Sequence, residues 1–224
     1  MRLTPLSQLV RTRLADAAPL PPLGPWLLAS APTLMLTAAL WMGLGGETAL
    51  AAACKLHRAA HPDFAAVLRV ATDWIPPLLY LPMLALLWRV VRSGDAATRR
   101  FVLTFAVVQI LVAALAVNLL KIAIGRARPS EDPGLSPFSL RGAYHSMPSG
   151  HTAETTGAVS ALALWWGRGR AALALGLVLA LLAFTRIYLG WHHPSDVLAG
   201  WLLGSCTGLL TLRLAPRPGR RSIP

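Results

Sequence analysis

Long stretches without a single charge dominate this sequence, and about 20 apolar residues in a row is what one α-helix needs to cross a hydrocarbon core. Six stretches approach that length: Pro25 to Gly46, Trp74 to Trp88, Phe101 to Leu120, Thr152 to Gly167, Ala171 to Thr185 and Val197 to Leu212. Several are short, so their ends must borrow flanking residues. Composition points the same way, with 55% hydrophobic and 13% charged residues, far below the roughly 25% charged residues of a soluble domain. The expected fold is all-α, a polytopic membrane protein with a bundle of six transmembrane helices. No polar linker separates the apolar blocks, so one membrane domain is expected over residues 25–214, between a leader at 1–24 and a basic tail at 215–224. The first stretch follows an arginine-bearing leader and lacks a convincing cleavage site, which reads as a span and not as a signal peptide. Pro76, Pro77 and Pro82 fall inside the second stretch and favour a bent helix there.

The formal net charge of +12 calls for anionic partners. The basic residues sit in short blocks between apolar segments, a pattern that fits lipid headgroups and phosphates and argues against nucleic acid. Lysine and arginine accumulate on the cytoplasmic side of membrane proteins. With six crossings, one side collects 13 of them: Arg2, Arg11 and Arg13; Arg89, Arg92, Arg99 and Arg100; Arg168 and Arg170; Arg213, Arg217, Arg220 and Arg221. Both termini are therefore expected in the cytoplasm. A second basic cluster, Lys121, Arg126, Arg128, Arg141 and Arg186, falls on the opposite side and needs its own cause. Cys54 and Cys206 lie in unlike settings, so no disulfide is expected between them.

Three polar groupings end up on that second side. Lys121 and Arg128 are seven apart, which on a continuous helix puts two cations on nearly one face. Gly125 is expected to loosen that helix and Pro129 to end it, leaving the Arg128 guanidinium to fork onto phosphate oxygens. A positively charged helix end at a membrane surface explains the same residues. Next come Pro148, Ser149, Gly150 and His151, directly before an apolar helix whose free amides suit an anion; an ordinary serine cap with an interfacial histidine is the plainer account. The third grouping holds Arg186, His192 and Asp196. Pro194 suits a first helical position, so Asp196 in the first turn can orient the His192 imidazole and leave its other nitrogen as a nucleophile. A polar helix cap is again the plainer account, and His193 is an alternative nucleophile. Glu154, one turn after His151, is a further candidate, either paired with a basic residue of the site or solvated. Gln109, Asn118 and Asp73 are expected to make interhelical hydrogen bonds.

Taken together, Lys121 with Arg128 and Pro129, Pro148 to His151, and Arg186 with His192 and Asp196 resemble the three-part signature of the type-2 phosphatidic-acid phosphatase family, which includes lipid phosphate phosphatases and vanadium haloperoxidases. The resemblance covers the region from about Phe101 to Leu212. Thr185 stands where the family usually has serine. The resemblance implies that His192 attacks phosphorus to form a phosphohistidine, that His151 protonates the leaving group and that Asp196 orients His192. It implies that Lys121, Arg128, Arg186, Ser149 and the Gly150 amide hold the phosphoryl oxygens. It further implies a phosphorylated lipid as substrate, no cofactor and a bacterial inner-membrane location, and the 13 basic residues on the opposite side put the expected active site on the periplasmic face. Metal ligation by His192, His193 and Asp196, or by His145 with His151, is not expected, since carboxylates are few and arginines crowd the same places.

The same intermediate also serves a lipid phosphotransferase. A non-enzymatic anion carrier ranks lower, because the charges gather at one surface and the span interiors hold few ionisable groups. A haloperoxidase is disfavoured by the apolar chain. Phosphatidate, phosphatidylglycerol phosphate, undecaprenyl diphosphate and lipid A phosphate all stay open as substrates, as does the oligomeric state.

Overall fold

A computed structural model describes residues 23–131 and 134–215. The leader through residue 22 and the tail from residue 216 lie outside the described residues, and with them the arginines expected to fix the cytoplasmic termini there. The described chain forms seven helices of a turn count that matters here: α1 (Gly24–Gly43), α2 (Glu47–Ala60), α3 (Pro62–Ser93), α4 (Ala96–Ile124), α5 (Gly150–Trp166), α6 (Gly169–Tyr188) and α7 (Pro194–Leu214). Between α4 and α5 runs a long irregular segment with one three-residue 3-10 turn, Gly142–Tyr144.

Local chemistry accounts for the helix ends. Pro25, Pro62 and Pro194 open α1, α3 and α7, where a missing amide costs nothing. Asp95 caps α4, its Oδ1 accepting from the amides of Ala97 at 3.1 Å and Thr98 at 3.5 Å. Gly94, Gly125 and Gly167 stop α3, α4 and α5 in the left-handed conformation, which glycine adopts without a Cβ clash.

Five helices, α1, α3, α4, α6 and α7, are long and apolar enough to cross a membrane. The expected fourth span is α5, which has only 17 residues, a rise of about 25 Å against a core of about 30 Å. It is the central helix. From Thr152 to Trp165 every residue except Glu154 is buried, whereas large side chains such as Met35, Trp74, Leu103 and Leu177 stand exposed on the outer helices, as lipid-facing positions require. The first connection contains a further helix, α2. The second span is longer than expected, and α3 runs helical through Pro76, Pro77 and Pro82. Within α4, residues Ile110–Ala116 wind as a π-helix, with the Val117 amide reaching back to the Val112 carbonyl.

The packing of α5 on α7 fixes the layout. Gly200, Gly204 and Gly208 recur every four residues along one face of α7. A Cβ added at Gly204 would lie 2.3 Å from the Ala153 carbonyl oxygen, one at Gly200 2.5 Å from that of Ser149, and one at Gly208 2.3 Å from the Ser160 Cβ. Only glycine lets the two backbones meet this closely. On the other side of the bundle, Gly176 of α6 meets the Ala29 backbone of α1 in the same manner, and the indoles of Trp26 and Trp201 donate to Ser205 and Ser30 at 3.1 and 3.0 Å.

Gly204→Ala is expected to destabilise the protein by about 1–3 kcal/mol through overpacking, while Gly43→Ala, whose added Cβ meets nothing within 4 Å, stays within about 1 kcal/mol of the parent. Unfolding midpoints in detergent measure both, and equal shifts would discount the close approach.

Candidate active site

Helices α4 and α6 end, and α5 and α7 begin, at the same end of the bundle, so the three polar groupings meet there. The first departs from expectation. Gly125 takes φ +59° and its amide closes on the Lys121 carbonyl at 2.9 Å, so α4 stops at Ile124 and Lys121 and Arg128 do not share a helix face. A Cβ at Gly125 would fall 1.8 Å from the Ser136 carbonyl oxygen, because the returning loop lies directly on it. Residues 126–128 then run extended between two neighbours. Ala127 donates to Gly134 at 3.1 Å and Arg128 to Ala143 at 3.0 Å, and Ser146 donates to the Arg126 carbonyl at 3.0 Å. Arg128 reaches the site from this loop, its Nε on the Gly142 carbonyl at 3.1 Å.

Ser149 occupies the N-cap position of α5, but no side chain caps the first amides of that helix. Its hydroxyl accepts from Thr152 Oγ1 at 2.9 Å. The serine-cap account therefore fails, and unpaired amides at a positive helix end stay available to an anion. The Lys121 ammonium lies beside them: a Cβ at Gly150 would sit 3.2 Å from Nζ. Arg186 is only 4% exposed. Its guanidinium stacks on Trp191 at 4.3 Å and reaches Thr72 of α3 through a long 3.3 Å contact, while its Nε has no partner among the described residues. A buried, unpartnered guanidinium nitrogen is costly unless a ligand completes it. His151 is half-buried and lies within reach of the charges of Arg186, Lys121, Asp73 and Arg128. Thr185, in contrast, turns its hydroxyl back onto the Leu182 carbonyl at 2.7 Å, away from any ligand.

His192 is 2% exposed. Its Nδ1 lies 2.7 Å from the Ser146 carbonyl oxygen and 3.8 Å from Asp196 Oδ2. A carbonyl only accepts, so Nδ1 carries the proton and Nε2 the lone pair. The direct carboxylate contact expected from the spacing is thus replaced by a backbone carbonyl. Burial is the main cause that pushes this imidazole down to about 4; contact with Asp196 opposes it, and the charges of Arg186 and Lys121 reinforce it. The ring is neutral at physiological pH, with its lone pair free.

Asp196 acts one step removed. Completely buried, it accepts from Ser146 Oγ at 2.6 Å and the His193 amide at 2.8 Å through Oδ2, and from Arg126 Nη1 at 2.6 Å through Oδ1. Its own carbonyl takes the Ser149 amide at 2.9 Å. Arg126 continues to Ser195 Oγ and to Glu47 Oε2, both at 2.6 Å, and Glu47 Oε1 takes the Ser195 amide at 2.8 Å. Burial pushes the Glu47 carboxyl up, yet the Ser195 and Arg126 hydrogen bonds outweigh it and hold the group below the usual carboxylate range. Sequence reading missed Arg126, Glu47, Ser146 and Thr72 as parts of the site. Arg126 carried the one available signal, a third cation within the Lys121 to Arg128 segment.

Other expectations sort themselves. His193 turns its Nδ1 towards Glu47 Oε2 at 4.0 Å. Among the described residues Glu154 pairs with no cation; it accepts from the Tyr80 hydroxyl at 3.0 Å, which in turn accepts from Gln109. Gln109 thereby makes the expected interhelical bonds, while Asn118 donates to the Ala114 carbonyl of its own helix at 2.6 Å. Among the described residues no group of three or more His, Cys, Asp or Glu side chains is gathered for a metal.

Arg126→Met removes charge-assisted bonds to Glu47 and Asp196 and is expected to destabilise by about 2 kcal/mol, read as a lowered unfolding midpoint. If Arg126→Met unfolds like the parent, the network does not hold these elements together.

Comparison with known proteins agrees with the geometry. A lipid A 1-phosphatase of Rhizobium johnstonii is 40% identical over 115 residues, covering 49% of this chain and 46% of that protein. A lipid A 1-phosphatase of Rhizobium etli is 40% identical over 115 residues, with 49% of each chain covered. An undecaprenyl-diphosphatase of Sulfolobus acidocaldarius is 39% identical over 77 residues, 31% of this chain and 34% of the relative. The chain thus matches about half the length, or less, of these relatives. No solved structure matches it. The PAP2 superfamily model matches residues 101–220, the segment that holds all three polar groupings, and the chain belongs to the PAP2 superfamily.

Proposed function

We propose that this protein is an integral-membrane lipid phosphatase that cleaves a phosphomonoester or diphosphate of a membrane lipid through a phosphohistidine on His192. The observation that carries the reading is the pairing of a neutral, buried His192, its proton fixed on Nδ1 by the Ser146 carbonyl, with cations whose charges overlap around the free amides of α5. Phosphoryl transfer needs little beyond in-line positioning and neutralisation of the equatorial oxygens. Lys121, Arg128 and Arg186 supply the charge, and the Gly150 amide and Ser149 hydroxyl line the same place.

In this reaction Nε2 of His192 attacks phosphorus, the bond to the leaving oxygen breaks, and His151, protonated once the substrate's negative charge offsets the neighbouring cations, gives that oxygen its proton. Water then attacks the phosphohistidine, His151 takes the proton back, and inorganic phosphate and the free imidazole are released. Asp196 keeps Ser146 in place and so sets the His192 ring indirectly. His192→Ala is expected to abolish the phosphoenzyme with every substrate. His151→Ala is expected to cut turnover of an alkyl phosphate about 100-fold or more, and that of an activated aryl phosphate much less. Rapid quench with mass spectrometry reads the first and steady-state rates the second; phosphate on another residue of the His192 variant, such as His193, would overturn the assignment.

The proposal includes six crossings, with α5 as the enclosed fourth, and a site on the non-cytoplasmic side of a bacterial inner membrane. Its support is the arginine excess at the other ends of the helices, where Arg89, Arg92, Arg99, Arg100, Arg168, Arg170 and Arg213 collect. Leu140 is 80% exposed in the loop beside the site. In a variant free of Cys54 and Cys206, Leu140→Cys is expected to react with an impermeant thiol reagent on intact cells; labelling only after lysis would reverse the orientation.

A further inference from the structure

Helix α6 ends at Tyr188, and the carbonyls of its last turn need partners. Three find them in the turn that follows. The Leu189 amide donates to Thr185 at 3.0 Å, the Gly190 amide to Ile187 at 3.0 Å, and the amides of Trp191 and His192 both donate to Arg186 at 3.2 Å. The fourth carbonyl, that of Tyr188, accepts from the Arg58 guanidinium of α2, 130 positions away. Gly190 lies against the same guanidinium. It takes φ +73°, and a Cβ added there would fall 3.0 Å from Arg58 Nη2 and 3.4 Å from Cζ.

Arg58 is half-buried, and no carboxylate pairs with it among the described residues. An arginine on a short surface helix ordinarily keeps its charged head in water. This one is committed to backbone, at a helix C-terminus where the dipole favours a cation. The residue before it holds the same place by another route. His57 Nδ1 and the Tyr188 hydroxyl are 2.7 Å apart, and the Tyr188 ring packs against Phe64 and Phe184 with centroids at 5.3 and 5.5 Å. Helix α2 therefore grips Tyr188 by its main chain and by its side chain.

We infer that His57 and Arg58 clamp the turn over residues 188–192 and thereby position the nucleophile and one phosphate-binding cation. This rests on the phosphatase reading, in which both act as positioning residues without touching the substrate. Arg186 stands two residues before Tyr188, and His192 two after Gly190. A shift of the turn passes to both of them. The Arg186 carbonyl is tied to the His192 amide, and the Trp191 ring carries the Arg186 guanidinium at 4.3 Å. Ser146 holds His192 Nδ1 from the other side, so Nε2 meets phosphorus in line only while the turn also stays in place.

The purified full chain is assayed with whichever of phosphatidate, phosphatidylglycerol phosphate, undecaprenyl diphosphate and lipid A phosphate it hydrolyses fastest, and each variant is also unfolded in detergent. Arg58→Met is expected to lower kcat about tenfold and to change KM less than about threefold, because Lys121 and Arg128 still hold the phosphate while the nucleophile is misplaced. Arg58→Lys, which keeps a donor for the Tyr188 carbonyl, is expected to recover part of that loss. Trp26→Phe is the comparison. It removes one long-range hydrogen bond, to Ser205, from the start of α1 at the other end of the bundle. It is expected to lower the unfolding midpoint comparably and to leave kcat within about twofold. A kcat loss in Arg58→Met no greater than that of Trp26→Phe for the same midpoint shift, or a rise in KM with kcat unchanged, would overturn the clamp and leave the phosphatase reading standing. If Arg58→Met does not fold, Tyr188→Phe decides: losing only the hydroxyl that meets His57, it is expected to lower kcat about threefold, and an unchanged rate would overturn the inference. Hydrolysis of none of the four lipids by the parent would remove the phosphatase reading and the clamp with it.

Discussion

The close approach of α5 and α7 is the constraint on which the rest of the site depends. Three glycines at four-residue intervals bring the two backbones within reach of each other along three turns, from Ser149 at the top to Ser160 lower down. That contact sets the first turns of both helices side by side. The Ser149 amide can then find the Asp196 carbonyl, and the Asp196 carboxylate can find Ser146. Apolar burial alone would not fix this register, since in a bilayer lipid and protein interiors are similarly apolar; small residues and polar contacts do so instead.

Upon that frame the protein assembles charges that repel one another. Lys121, Arg128 and Arg186 feel each other across the space in front of α5, and Arg186 keeps an unpartnered nitrogen while nearly buried. Such an arrangement costs stability, a cost that the phosphate of the proposed reaction would offset. The carboxylates are held back from the cation cluster by their own partners. Asp196 is occupied by Arg126, Ser146 and a backbone amide, and Glu47 by Arg126 and Ser195. Arg126 thus neutralises the acids of the site, which leaves the other three cations for the phosphate in the reaction proposed above.

Much of this was legible in the residues. The apolar stretches located the long helices, since hydrophobic length reports bilayer thickness directly, and the spacing of the polar groupings placed them at one end. What stayed hidden depended on contacts distant in sequence or on single backbone angles. Gly125 broke the helix before Arg128, a stop that Pro129 had been expected to provide. The Ser146 carbonyl replaced Asp196 as the partner of His192, and a backbone acceptor leaves no trace in residue type. Helix α2 was overlooked because its alanines and charged residues read as a connection, and Glu47 gained its meaning only when Arg126 was seen 79 positions away. Glu154, open in the sequence between pairing with a basic residue and a solvated role, accepts from Tyr80 and from Gln109 instead.

The π-helical turn from Ile110 to Ala116 reaches further than its own residues. A π-helix advances the chain with fewer degrees of rotation per residue than an α-helix, so it resets the azimuth of everything after it. Lys121 lies five residues beyond its end and points at Gly150, inward and not at lipid. The bearing of that ammonium is therefore written in the number of residues upstream as much as in any side chain. Wound as ordinary α-helix, the same seven residues would rotate the chain by about a third of a turn more and swing the lysine around the axis of α4, away from Gly150.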